Sequence, residues 1–97
     1  MAFIVTIRRF AAGEPASEIS SAVNLIESRE LARQHADSIW MDELKRAQAE
    51  VEAARARGIR GMSAIPTGLN ADMKAVTLHS ETDGVLRSTI ICVERSA

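Results

Sequence analysis

The chain contains 97 residues, with 12 basic and 13 acidic side chains and a formal net charge of −1. This length is typical of one domain, and a charge close to zero provides no overall field that would attract nucleic acid or a membrane surface. Hydrophobic residues make up 46% of the sequence, but 16 of them are Ala. The remaining large apolar side chains suffice for one compact core and exclude a second one.

The chain carries a single cysteine, Cys92, so an internal disulfide is excluded and the fold does not depend on an oxidising compartment. Its first apolar run, residues 2–7, ends at Arg8 and is too short for a signal peptide or a membrane span. We therefore expect a cytoplasmic protein without a membrane segment.

Residues 3–10 alternate in polarity, which predicts a strand. Residues 11–17 contain Gly and Pro and are typical of a loop. Residues 18–26 fit either a second strand or the beginning of a helix. We favour the strand, because a helix extended backwards would place Glu18 and Arg29 inside its apolar stripe.

Residues 29–57 show the periodicity of an amphipathic helix. Ser28 occupies the N-cap position, and Gly58 follows the last turn as a stop signal. The predicted apolar stripe consists of Ala32, Ala36, Ile39, Trp40, Leu44, Ala47, Val51 and Ala54.

Residues 73–94 predict a β-hairpin. Its centre is Asp83-Gly84, a dipeptide that favours a two-residue type I′ turn. Such a turn pairs Thr82 with Val85 and fixes the register of the two strands.

The segment between helix and hairpin, residues 59–72, is predicted to be a loop because Gly61, Pro66 and Gly68 interrupt it. The elements then follow the order β-β-α-β-β. We predict an α+β fold of two layers, with an antiparallel sheet of about four strands and one long helix packed on one face. Residues 1–97 form a single domain.

The predicted helix is longer than the predicted sheet. It measures roughly 43 Å at about 1.5 Å per residue, whereas strands of this length span roughly 30 Å. The overhanging part carries the small apolar side chains Ala47, Val51 and Ala54. This predicts a homodimer formed through the C-terminal half of the helix. The alternatives are that this Ala-rich helix end is exposed to solvent or that the 59–72 loop covers it.

The sheet face opposite the helix is predicted to mix apolar with small polar side chains. Such a surface can bind a protein partner. The predicted partner-binding residues are Thr6, Arg8, Asn24, Thr77, His79 and Ser88. An ordinary mixed, solvent-exposed surface remains the alternative.

Motifs for cofactors are lacking, since neither GxxxxGK[ST] nor GxGxxG occurs in the sequence. A strand would project His79, Glu81 and Asp83 to one side, but the turn already explains Asp83, so no metal site is predicted. A small dimeric enzyme or ligand-binding protein stays open as an alternative. Its pocket, between helix and sheet, would be lined by His35, Trp40, Glu43 and His79.

Residues 45–60 contain five basic and two acidic side chains, a net charge of +3. They suggest weak nucleic-acid binding through Arg55, Arg57 and Arg60 as a second alternative. Basic residues near a helix C-terminus also have an ordinary explanation, because they complement the helix dipole.

Residues 25–38, LIESRELARQHADS, resemble the strand-to-helix passage of small dimeric ferredoxin-like domains of the antibiotic-biosynthesis monooxygenase type. That family has an additional helix after its first strand, for which residues 11–17 are too short. The resemblance is local and implies no site residue in this chain.

We therefore expect a small non-enzymatic protein–protein interaction module that needs no cofactor or metal. A protein partner and a homodimer are expected. Small regulators and phage-encoded inhibitors of bacterial defence systems share this profile as a class.

Overall fold

The computed structural model describes residues 2–15, 17–20 and 26–95. In these segments the elements are β1 (Phe3–Ala11), β2 (Ser17–Ser20), α1 (Arg29–Ala56), β3 (Met62–Asn70), β4 (Met73–Ser80) and β5 (Gly84–Arg95). The strands form an antiparallel sheet in the order β2-β1-β5-β4-β3, and α1 packs on one face. The predicted two-layer α+β fold is confirmed, with five described strands rather than about four.

The additional strand is β3, which lies in the segment predicted to be a loop. It forms the edge of the sheet beside β4. The amide of Glu81 donates to the carbonyl oxygen of Gly61 at 2.9 Å, and bonding alternates along an antiparallel ladder. Pro66 is therefore at a position that points away from β4, where no N–H is required. The loop prediction for 59–72 is wrong because an edge strand tolerates proline.

The hairpin of β4 and β5 exists, but its turn differs from the prediction. The predicted pairing of Thr82 with Val85 would set Val76 beside Ile91, but Val76 pairs with Thr89, a shift of two residues. Three residues, 81–83, form the turn, and the Ser80 hydroxyl accepts hydrogen bonds from the amides of Thr82 and Asp83. A type I′ turn needs positive φ at both central residues, and no described non-glycine residue has one. A shift of two keeps the side chains up to the pair of Leu78 and Arg87 on their predicted faces. A β-bulge between Leu78 and His79 then changes the register, so that Leu86 packs against the core and Val85 is exposed.

Helix α1 begins and ends as its sequence signals predict. The Ser28 hydroxyl accepts a hydrogen bond from the Leu31 amide at 3.3 Å, as an N-cap does. Arg57 is the C-cap, and Gly58 follows with a φ of +82°, the left-handed conformation that glycine adopts without strain. The predicted helix, 29–57, is confirmed to within one residue.

The core between α1 and the sheet contains two clusters. The first comprises Phe3, Val5, Ala32, Ala36, Ile91 and Val93, and the second comprises Ala47, Val76 and Leu78. Trp40 packs against both clusters. Its indole Nε1 donates to the carbonyl oxygen of Ala75 at 2.8 Å, so the one polar atom of this side chain is satisfied within the core.

The segment predicted as a second strand is described only in part. Residues Ser17–Ser20 form β2 and pair with β1. Ile26 exchanges two backbone hydrogen bonds with Phe3, at 2.6 and 2.9 Å. Residues 21–25 lie outside the described residues, so the choice between strand and helix is not tested there. Over the described parts of the chain, no helix is long and apolar enough to cross a membrane.

Candidate functional site

The sheet face away from α1 is crossed by no described element. Because residues that pair directly share a face, the register places Phe10, Ser88, Thr77 and Ile65 in one row across four strands. Phe10 and Ile65 are 41% and 43% exposed. Between them, the Thr77 and Ser88 hydroxyl oxygens are 3.3 Å apart and share a hydrogen bond. The row therefore combines two exposed apolar side chains with two hydroxyls.

A second row on this face begins at Arg8, which pairs with Ile90, and it adds one apolar and one hydroxyl side chain beside this arginine. Ile90 pairs with Ala75, which pairs with Thr67 at the edge strand. We refer to the surface formed by Phe10, Ile65, Thr67, Thr77, Ser88 and Ile90 as the open sheet face. None of these side chains carries a charge.

At the end of the sheet near Arg8, side chains on this face are less exposed to solvent. Thr6 and Cys92 are paired residues of β1 and β5 and are both buried. Arg8 and Glu94 stand on either side of this pair, and their ion pair at 3.3 Å runs diagonally across it. Among the described residues, the Thr6 hydroxyl has no hydrogen-bond partner. The prediction that Thr6 contacts a partner is wrong, because its side chain is covered.

The other predicted partner-binding residues have different outcomes. Thr77, His79 and Ser88 are partly exposed on the face opposite α1, as is Arg8 with its carboxylate partner. Asn24 lies outside the described residues. The alternation of each strand thus placed these residues on the expected face, whereas it could not indicate which of them a neighbouring side chain covers.

The predicted helix overhang does not exist as a free surface. Ala47 and Ala54 are buried within the chain, and Val51 is half-buried. Ala47 and Val51 belong to the second core cluster, which continues through Val76 and Leu78 of β4 to Met62 and Ala64 of β3 at the edge of the sheet. A homodimer through Ala47, Val51 and Ala54 is excluded in this conformation for that reason.

The pocket proposed between helix and sheet is not assembled. His35 is exposed on α1, Trp40 belongs to the core, and His79 lies on the opposite sheet face. Glu43 borders a cleft of about 270 Å³, whose other lining residues are Arg9, Arg46, Glu50 and Arg87. The residues expected to act together are therefore dispersed over both layers.

Both carboxylates of this cleft are held by arginines. Glu43 accepts a hydrogen bond from Arg9 at 2.6 Å and lies 3.7 Å from Arg46. Glu50 forms a two-pronged pair with Arg87 at 2.6 and 3.1 Å, and this hydrogen bond raises the pKa of the Arg87 guanidinium. These contacts join α1 to β1 and β5, so the cleft is a set of structural ion pairs.

A further ion pair connects α1 to the turn between β3 and β4. Arg33 donates to Asp72 at 2.7 Å, and this hydrogen bond lowers the pKa of the Asp72 carboxyl. Within the described residues, no three His, Cys, Asp or Glu side chains approach closely enough to hold a metal ion. Cys92, the one cysteine of the sequence, is buried.

Two of the three arginines predicted to contact nucleic acid lie in one groove. Arg55 and Arg60 line this groove between the end of α1 and β3, together with Val51, Ile59 and Met62. Arg57 is the exposed C-cap residue of α1 and is not among the lining residues.

The sequence analysis missed this groove because it missed β3. A local signal was present at the far end of the strand, where the Asn70 side chain accepts a hydrogen bond from the Asp72 amide at 2.8 Å. Asn followed two residues later by Asp favours a tight turn, and a turn there implies a strand before it.

Comparison with known proteins adds no identification, because no family model matches the chain, and neither the curated proteins nor the solved structures gave a match.

Proposed function

We propose that the protein is a small non-enzymatic protein–protein interaction module that docks through its open sheet face. The observation that supports this proposal is the row in which Phe10 and Ile65 remain more than one-third exposed on an uncovered sheet. Exposed apolar side chains on one continuous face are typical of interaction surfaces. Its single, buried Cys92 fits a reducing compartment, so we place the module in the cytoplasm.

The proposed occupant of the open sheet face is a second copy of the chain. A two-fold symmetric interface brings each surface against itself, so a charged patch would meet like charge. The six side chains of the open sheet face carry no charge, and the adjacent Arg8 is already paired with Glu94. Thr67, Thr77 and Ser88 offer hydroxyls that both donate and accept hydrogen bonds, and such groups can pair with their own copies. This dimer replaces the one predicted through the helix.

The test is the molar mass in solution, measured by light scattering after size exclusion. The wild-type chain should have twice its monomer mass at about 50 µM protein, since an interface of this kind commonly binds in the micromolar range. Ile65→Glu places an unpaired charge within the interface and should give a monomer. Met41→Glu is the matched control, because Met41 is 46% exposed on α1 and outside the open sheet face.

Both variants should keep the melting temperature of the wild-type monomer fold, because both side chains are exposed. A monomeric wild-type chain at this concentration contradicts the second copy as occupant. Dissociation by Met41→Glu, or persistence of the dimer in Ile65→Glu, places the interface elsewhere and contradicts the proposed surface.

A further inference from the structure

A groove separates the C-terminal half of α1 from the edge strand β3. It consists of two adjoining cavities of about 430 and 360 Å³ that share Val51 and Arg55. Its lining comes from Val51 and Arg55 of α1, Ile59 and Arg60 of the connection, and Met62 and Ala64 of β3. These volumes lie in the range of ligand sites. The groove is in the helix layer, so it does not include the open sheet face.

One wall of the groove offers unpaired backbone groups. The bond between Glu81 and Gly61 fixes which residues of β3 face β4. By alternation, the amide and carbonyl groups of Met62 and Ala64 point away from β4. Pro66 is the next residue of this set and has no N–H. The edge can therefore accept an added strand beside Met62 and Ala64. Because Pro66 has no N–H to donate, an added strand cannot continue its backbone hydrogen bonds past this residue.

The groove also contains two arginines, Arg55 and Arg60, that form no ion pair among the described residues. Glu52 lines the second cavity. A methyl group placed on Gly61 would be 3.0 Å from a carboxylate oxygen of Glu81. Two arginines flanked by two carboxylates favour a ligand that brings one negative group rather than many.

We propose that this groove binds an extended acidic peptide segment, which adds to β3 as a short sixth strand. Its backbone pairs with Met62 and Ala64. One apolar side chain packs against Val51 and Met62, and a carboxylate two residues along accepts hydrogen bonds from Arg55. Residues i and i+2 of a strand share a face, so both side chains point toward α1. Strand addition of this kind combines backbone affinity with side-chain specificity.

The same arginines could meet phosphates, but the groove fits a peptide better. Nucleic acid would bring a row of negative charges past Glu52 and Glu81, and it gains most of its affinity from several phosphate contacts. Arg57 does not line the groove. Base stacking needs exposed aromatic side chains, and the lining residues include none.

The test uses a fluorescent pentapeptide in which Val and Glu are separated by Thr, and a second pentapeptide with Lys in place of Glu. Fluorescence anisotropy with the full chain gives the affinities. The Glu peptide should bind and the Lys peptide should not. Arg55→Glu should weaken binding at least about tenfold, the loss of one charge-assisted hydrogen bond. Arg57→Glu is the matched control and should leave the affinity within about twofold.

A second variant separates strand addition from simple charge attraction. Ala64→Pro removes an outward amide at a position equivalent to Pro66, so the strand should still form, while binding of the Glu peptide should be lost. Backbone amide shifts in NMR spectra should change at residues 58–64 on addition of this peptide.

Several outcomes overturn the proposal. These are equal binding of the two peptides, shift changes confined to the sheet face opposite α1, or tighter binding of a single-stranded oligonucleotide than of the Glu peptide. The molar mass measurement is independent of all of them, because it is made without peptide and because Arg55, on α1, lies outside the open sheet face. Failure of one proposal is thus distinguishable from failure of the other.

Discussion

Glu43 is a carboxylate that α1 holds at the interface with the sheet, where the residue is only 8% exposed. A buried charge without a partner is costly, and Arg9 of β1 supplies the partner at 2.6 Å. Arg9 itself is about one-third exposed, with 32% of its side-chain surface accessible. Water therefore screens part of the attraction, and the pair is intermediate between a surface ion pair and a buried one.

We predict that Glu43→Ala lowers the free energy of unfolding by about 2 kcal/mol, because Arg9 loses its counter-charge in a partly buried site. Urea denaturation followed by circular dichroism measures this change. Glu52→Ala is the control, since Glu52 is an exposed carboxylate on the same helix and its removal should change stability by less than about 0.5 kcal/mol. Equal effects of the two variants would contradict the burial-based explanation.

The two arginine partners of Glu43 differ in how far the sequence predicts them. Arg46 lies one turn away on α1, and the helical period alone suggests the pair that is observed at 3.7 Å. Arg9 makes the shorter contact but comes from β1. The packing of α1 across β1 brings Arg9 and Glu43 together, and a single sequence does not indicate which strand the helix crosses.

Among the elements, α1 and β3 differ most in how far their sequences predict them. The helix has a long periodic stripe, an N-cap serine and a terminal glycine, and each signal is local. Strand β3 contains Pro66 and Gly68, which normally interrupt a strand. Its pairing with β4 makes it a strand, and its edge position removes the cost of the proline. The groove beside it could not be predicted for the same reason.

Pro66 should also protect this edge from pairing with other chains. We predict that Pro66→Val, which restores an outward N–H and raises strand propensity, causes concentration-dependent association through β3. Light scattering of a dilution series measures it, with the Ile65→Glu substitution present to remove the sheet-face dimer. Ser63→Val is the control, because Ser63 is exposed on β3 but its amide faces β4. Association of the control variant alone would contradict the prediction.

At the scale of the molecule, Trp40 connects the two halves of the core. It packs against the cluster around Val5 and the cluster around Ala47, and it bonds to the carbonyl of Ala75. Lys74 also lies over its ring, with Nζ 4.9 Å from the centroid. The two clusters therefore share one large side chain, and we expect the sheet and helix to unfold together.

We predict that Trp40→Ala lowers the free energy of unfolding by about 3–5 kcal/mol, since it leaves a cavity between both clusters. Denaturation followed by far-ultraviolet circular dichroism measures the loss without relying on tryptophan emission. Leu31→Ala is the control, because Leu31 is 57% exposed on α1 and should contribute less than about 1 kcal/mol. A loss in Trp40→Ala no larger than in the control would show that the core does not depend on this residue.

The sheet order has a consequence for how the chain folds. The central pair, β1 with β5, joins strands from opposite ends of the sequence, from Phe3 with Arg95 to Ala11 with Arg87. Strands β3, β4 and β5 follow one another as a meander and can form through short loop closures. Contacts of large sequence separation form more slowly. The middle of the finished sheet is therefore the last part to assemble, and until β1 arrives the inner edge of β5 is exposed to competing strands.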